Sequence, residues 1–214
     1  CPVCRDPLPP GPEQLCREAM MINVRVKRQV ERREGRWANL PAELQEDMNR
    51  VHQLLEVAAA QAHTGAMSNL GFMYENGQGV PQRRAKAVEL YQQAAAKGDV
   101  GAIYTRGVIC EHAEGVPQSL AKAIELYEQA AAKGHAGAIH SLGFMYYQGQ
   151  GVPQSFAKAI ELYEEAAEKG LAAATLSLGY IYHQGQGVPQ SVEKAIELYD
   201  QAAAKGNSDA TYNL

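Results

Sequence analysis

The sequence predicts an all-α solenoid. Three observations carry this. The segment Gly-Val-Pro-Gln recurs at Gly79, Gly115, Gly151 and Gly187, always 36 residues apart. Each interval holds two amphipathic helical patterns, which is how short-period repeat arrays are built. The composition is also uneven. The chain's 214 residues include 20 Gly and 11 Tyr but only 3 Phe and 1 Trp, and the excess falls in recurring slots.

The array begins after residue 65. Repeats are expected at 66–101, 102–137, 138–173 and 174–209, with 210–214 opening a fifth. In each, a short first helix (Ala138 to Gln148 in the third) meets Gly149-Gln-Gly-Val-Pro153, where glycine permits a left-handed exit and proline blocks continuation. Ser119, Ser155 and Ser191 stand two residues past the proline, placed to cap a second helix of about Ser155 to Lys169. Lys-Gly closes that helix at Gly98, Gly134, Gly170 and Gly206. One face of the second helix carries Ala159, Ile160, Tyr163, Ala166 and Ala167. Its alanines suit close helix approach, and its tyrosine is expected to fill the gap between repeats. Gly71, Gly107, Gly143 and Gly179 lie inside first helices, where glycine costs up to about 1 kcal/mol against alanine, so a packing reason is expected.

Residues 13–65 contain no Gly-Val-Pro. Leu15, Ala19, Ile22, Val26 and Val30 make one helical face, and Leu44, Met48, Val51, Leu55, Ala58 and Ala62 make another. Ala58-Ala-Ala-Gln-Ala-His-Thr-Gly-Ala66 nearly copies the segment from Ala130 to Ala138, two periods on. The hairpin is therefore expected to be a degenerate unit that caps the array. Its charge is polarised: residues 17–36 sum to +4 and residues 37–56 to −3. The two helices are expected to pair through these charges. Cys16 falls at a helical position and is expected to be a small core residue.

The pattern Ala-x-x-x-Leu-Gly-x-x-Tyr-x-x-Gly-x-Gly-Val-Pro, followed by Lys-Ala-x-x-x-Tyr-x-x-Ala-Ala-x-x-Gly, resembles the Sel-1-like repeat, a relative of the tetratricopeptide repeat. That resemblance implies a right-handed α-solenoid of helix-turn-helix repeats that scaffolds protein–protein interactions. Serine here replaces an aspartate frequent in the family after the proline, and capping should survive. The second repeat departs further: Arg106, Cys110 and Ala113 replace Leu, Tyr and Gly. Arg106 is expected to reach solvent or an acid such as Glu111 or Glu114, since an unpaired buried guanidinium is costly.

At the N-terminus, Cys1-Pro-Val-Cys4-Arg-Asp-Pro-Leu8 resembles the last Cys-x-x-Cys of a RING finger, followed by a stiff proline-rich linker to residue 12. The resemblance implies that Cys1 and Cys4 would be zinc ligands in an intact parent. A structural zinc site takes four Cys or His ligands. The chain lacks an initiator Met and the upstream ligands, so it is expected to be a fragment that starts inside such a module and stops inside a fifth repeat.

Function is expected to lie on the first helices, where the copies differ. Opposite the recurrent residues, positions at i, i+4 and i+7 hold Ser68, Phe72, Glu75; Tyr104, Val108, Glu111; His140, Phe144, Tyr147; and Leu176, Tyr180, His183. The four tyrosines outside recurrent slots, Tyr104, Tyr147, Tyr180 and Tyr212, all fall there. Aromatic side chains are favoured at interface hot spots. The candidate partner-binding residues are Tyr104, Arg106, Glu111, His140, Tyr147, Leu176, Tyr180 and His183, on a concave face. Position 72 and its equivalents remain open between this groove and inter-repeat packing.

The expected function is a protein or peptide adaptor. The alternative is the substrate-recognition part of a RING-type ubiquitin ligase, with a conjugating enzyme as further partner of the parent. No catalytic triad, phosphate loop or metal-binding His spacing occurs, so no enzyme activity or resident cofactor is expected beyond that parent's zinc. Net charge is −4, which disfavours nucleic acid, and no apolar run could span a membrane. Cysteine-based zinc ligation would fit a reducing compartment, and no signal peptide or glycosylation acceptor occurs, so a cytoplasmic protein is expected.

Overall fold

Each amphipathic pattern forms a helix. The computed structural model describes residues 10–32, 37, 40–113 and 116–212. In chain order the helices are α1 (Pro12–Arg32), α2 (Ala42–Ala60), α3 (Thr64–Asn76), α4 (Arg84–Ala96), α5 (Val100–His112), α6 (Leu120–Ala131), α7 (Ala136–Gln148), α8 (Phe156–Glu168), α9 (Ala172–Gln184), α10 (Val192–Ala204) and α11 (Ser208–Tyr212). No strand occurs among the described residues. Cys1, Cys4, Glu114, Gly115 and the side chain of Tyr212 lie outside the described residues. The fold is all-α, with repeated helix pairs. It divides into two compact units, 1–106 and 107–214.

In the first unit, α1 packs on α2 through Leu15, Cys16, Ala19, Val26 and Val30 against Leu44, Met48, Val51, Leu55 and Ala58, all buried. Ile22 is only half-buried. The two helices pair through charge, once along the expected polarity and once against it. Arg25 Nη2 donates to both carboxylate oxygens of Asp47 at 2.7 Å, and Arg50 Nη2 donates to Glu18 at 2.7 Å. These pairs are exposed and orient the hairpin more than they stabilise it. Gly79, in the first Gly-x-Gly-Val-Pro loop, seats on Met48 of α2, and Gln45 Nε2 donates to its carbonyl at 2.8 Å. The hairpin thus covers the first repeat. Ala62 departs from the expected pattern. It is exposed and stands where the repeats have Lys-Gly, in the left-handed region at φ 66°.

The internal glycines have their packing reason. Tyr91, Tyr127, Tyr163 and Tyr199 pack against Gly71, Gly107, Gly143 and Gly179 of their own repeats. A Cβ at those glycines would stand 2.5 to 2.8 Å from the ring. The small residue and the large one are a within-repeat pair, which explains why both recur in register. Tyr163 also reaches the next repeat, as expected, in a buried cluster with Leu178 and Ile181 of α9. Junctions between repeats also use the loop glycines. In the second unit, Gly151 seats on Leu120 and Ile124 of α6, and Gly187 on Phe156 of α8. Ile160 and Ala167 of α8 are half-buried, leaving Ala159, Tyr163 and Ala166 as its fully buried face.

Two hydrogen bonds recur along the array, the first of them missing at α4, where Arg83 replaces the serine. Ser119, Ser155 and Ser191 accept from the amides of Lys122, Lys158 and Lys194 and cap the second helices as expected. The glutamine of Gly-Val-Pro-Gln has a task that periodicity did not disclose. Its amide donates to the carbonyl seven residues earlier: Gln82 to Glu75, Gln118 to Glu111, Gln154 to Tyr147 and Gln190 to His183, at 2.7 to 2.9 Å. This pins the loop to the end of the first helix. Ala113 keeps the left-handed exit at φ 58° where other repeats use glycine.

A further periodic slot caps the first helices except α9, where it holds Leu171. His63, Asp99, His135 and Asn207 accept from Ala66, Ala102, Ala138 and Ala210 at 2.8 to 3.1 Å. His135 uses Nδ1, so protonating that nitrogen would end the cap. Burial lowers the pKa of His135 and of His140 below 6.5. As the pH falls through about 6.5 the unfolded chain therefore binds protons first. The stability these groups contribute is whole above that value and is lost on acidification toward their lower folded-state values. The melting temperature is expected to fall between about pH 7 and about pH 5. His135→Asn, which can still cap, should flatten part of that dependence, and an unchanged pH profile in that variant would contradict the assignment.

Candidate partner-binding surface

The varying arc is half-buried to exposed, and position 72 and its equivalents are outward in three of four repeats. Val108 is half-buried, while Phe72, Phe144 and Tyr180 keep 48%, 40% and 47% of their surface accessible. Such large apolar groups are left outward on helices that have ample polar alternatives.

In the second unit the arc deepens into a cavity of about 350 Å³. Phe144, Tyr147 and Gln148 of α7 form one wall, and Leu176, Ser177, Tyr180 and Ile181 of α9 the other. Tyr163 and Tyr199 of α8 and α10 also line it. Helix packing of the third and fourth repeats positions all four elements. Beneath the walls, Ala159, Tyr163, Leu178 and Ile181 form a buried cluster that fixes the register of α8 and α9.

Of the residues expected to bind, Tyr147, Leu176 and Tyr180 line this cavity together. Tyr147 is half-buried. Its hydroxyl donates to Gln186 Oε1, and its ring meets Phe156 and Tyr180 edge-on at 5.6 and 6.4 Å. Burial and the neighbouring Tyr180 raise its pKa. Tyr147 is thus a wall that also holds structure, and its loss should cost stability as well as binding.

His140 does not line the cavity but braces it. Its Nε2 lies 3.0 Å from Ser177 Oγ, whose hydrogen goes to the Ala173 carbonyl at 3.0 Å. His140 therefore donates. Its ring lies 5.1 Å from that of Tyr163. His183 is exposed. Glu111 is engaged: Tyr127 Oη donates to it at 2.6 Å, so the acid expected near Arg106 already serves a tyrosine. Arg106 and Tyr104 are half-buried and belong to the first unit.

Tyr163 and Tyr199 were missed as site residues because their periodicity marked them as packing. A signal was available sixteen residues upstream. That slot holds Glu75 and Glu111 in the first two repeats but Tyr147 and His183 in the last two. Glu75 accepts from Tyr91 Oη at 2.7 Å, as Glu111 does from Tyr127. Burial, with the adjacent carboxylate second, drives the Tyr91 phenol pKa far above its ordinary range.

Among the described residues no group of three or more His, Cys, Asp or Glu could hold a metal ion, and no helix is long and apolar enough to cross a membrane. The geometry defines a helical-repeat protein with an aromatic-lined recess on its varying face.

The Sel1 repeat family model matches residues 64–99, 101–135, 136–171 and 172–207. The chain belongs to the Sel1 repeat family. It is similar to the solved structure of a Sel1 repeat protein from Oxalobacter formigenes, with 26% identity and a TM-score of 0.79, over 95% of this chain and 77% of that one. It is also similar to a protective antigen of uropathogenic Escherichia coli, with 32% identity and a TM-score of 0.64, over 77% of this chain but 35% of that one. An immunity protein of Pseudomonas aeruginosa, 21% identical with a TM-score of 0.61 over 96% of this chain and 70% of that one, shares the fold. No match was found among curated proteins.

Proposed function

We propose that this protein is a non-enzymatic adaptor that captures a segment of a protein partner on the varying face of its repeats, with the recess between α7 and α9 as the principal anchor point. The observation that carries this is the outward placement of Phe144 and Tyr180 on either side of an aromatic-lined cavity. A desolvated pocket edged by aromatic groups is where a partner's anchor side chain gains most. Sel1 repeats serve broadly as interaction scaffolds, which supports the same reading. A cytoplasmic setting belongs to this proposal.

The test is selection of peptides from a random phage library on the whole chain, followed by binding measurements on the Phe144→Ala/Tyr180→Ala variant. Selected peptides should lose at least about tenfold in affinity on that variant. Peptides that bind both proteins equally would place binding elsewhere.

A second proposal rests on Cys1-Pro-Val-Cys4 alone: these thiolates form the last ligand pair of a RING-type zinc module in a parent ubiquitin ligase. Zinc content and self-ubiquitination of a protein carrying the residues encoded upstream would test it, and a metal-free, inactive product would end it.

A further inference from the structure

Tyr199 is 4% exposed and lines the cavity, yet its hydroxyl has no hydrogen-bond partner among the described residues. Its counterparts Tyr91 and Tyr127 are each satisfied by a carboxylate of the helix before, Glu75 and Glu111, at 2.7 and 2.6 Å. In the fourth repeat that slot holds His183, which is exposed. Among the described residues the buried side-chain polar atoms that lack a partner are Asn23 Oδ1 and Ser68 Oγ. The Tyr199 hydroxyl is therefore open to water through the cavity, and a partner that displaces this water must supply an acceptor in its place.

We propose that the partner supplies the missing acceptor: an aspartate or glutamate side chain that takes the Tyr199 hydroxyl, next to an apolar residue that fills the space among Phe144, Leu176 and Tyr180. This rests on the recess being the partner site. The chemistry matches what the fold already accommodates. Glu111 keeps its side chain only 12% exposed and is held by a phenol. A phenol–carboxylate bond is charge-assisted and short. No lysine or arginine lines the cavity, so the second carboxylate oxygen must stay in water at the mouth. Tyr180, 47% exposed, shows that the mouth is open. The remaining lining is apolar or aromatic apart from Gln148 and Ser177, which suits an uncharged side chain beside the acid.

The experiment uses the phage-selected peptides that depend on Phe144 and Tyr180, resynthesised and titrated against the whole chain. They should share an acidic residue beside an apolar one. Changing that acid to its amide, and Tyr199→Phe in the protein, should each weaken binding about tenfold, and together little more than either alone. His183→Glu should restore the internal carboxylate, occupy Tyr199 and lower affinity similarly. Tyr199→Phe removes an unpartnered hydroxyl and should still fold. If it does not, the peptide amide and His183→Glu arms decide. Peptides that need Phe144 and Tyr180 but are indifferent to all three changes would overturn this proposal and leave the adaptor reading intact. Failure to obtain any peptide dependent on Phe144 and Tyr180 would overturn both.

Discussion

Replacing Gly143 by valine should cost the second unit about 3 kcal/mol, among the largest effects available to one substitution here. A Cβ at that position stands 2.8 Å from Tyr163 Cε1, 2.9 Å from Cδ1 and 3.3 Å from the Leu162 Cβ. Tyr163 is 2% exposed and cannot swing away. Alanine at the same position gains up to about 1 kcal/mol in helix propensity, so its net cost should be smaller. Urea denaturation provides the measurement, with the midpoint shifting at a similar slope. Pairing Gly143→Ala with Tyr163→Leu should recover part of the loss relative to the sum of the single changes, because they share one contact. Simple addition would mean that glycine and tyrosine recur for separate reasons.

The second large effect falls at the junction between repeats. Gly187 has φ 73°, and a Cβ there would lie 2.5 Å from the Cβ of Phe156, an atom too close to its backbone to yield. Gly170 has a similar φ of 88°, but nothing lies within 4 Å of its hypothetical Cβ. Gly170→Ala therefore pays only for the left-handed backbone, about 1 kcal/mol. Gly187→Ala pays that and the collision, about 3 kcal/mol in all. The difference measures how tightly one repeat seats on the next. Equal costs would remove the seat from the account.

Much of this architecture was legible because it repeats. The 36-residue step located each helix pair, the serine caps and the loop glycines, since these follow from backbone rules that act locally. Periodicity also separated recurrent tyrosines from variable ones. It could not say which helix a recurrent side chain faces. Tyr163 was therefore assigned to the gap between repeats, where it does meet Leu178 and Ile181, while its seat on Gly143 went unforeseen. The Gln154 clamp and the His135 cap escaped notice for a related reason. Each is a side chain folding back on its own loop, and neither residue type announces that role. The recess was half visible. Tyr147, Leu176 and Tyr180 could be read from their variation, whereas Tyr199 joins them only through the packing of α10 beneath α9. His140 looked like a surface group because variation alone does not distinguish a brace from a contact.

If recurrent residues hold the fold and the varying arc meets the partner, as proposed, binding and stability separate in Phe144→Ser/Tyr180→Ser. Peptide affinity, measured beside melting temperature in that variant, should drop at least about tenfold while the melting temperature stays within about 2 °C of the parent. A fall in melting temperature comparable to that of Gly143→Val, or undiminished binding in a folded variant, would contradict the proposal.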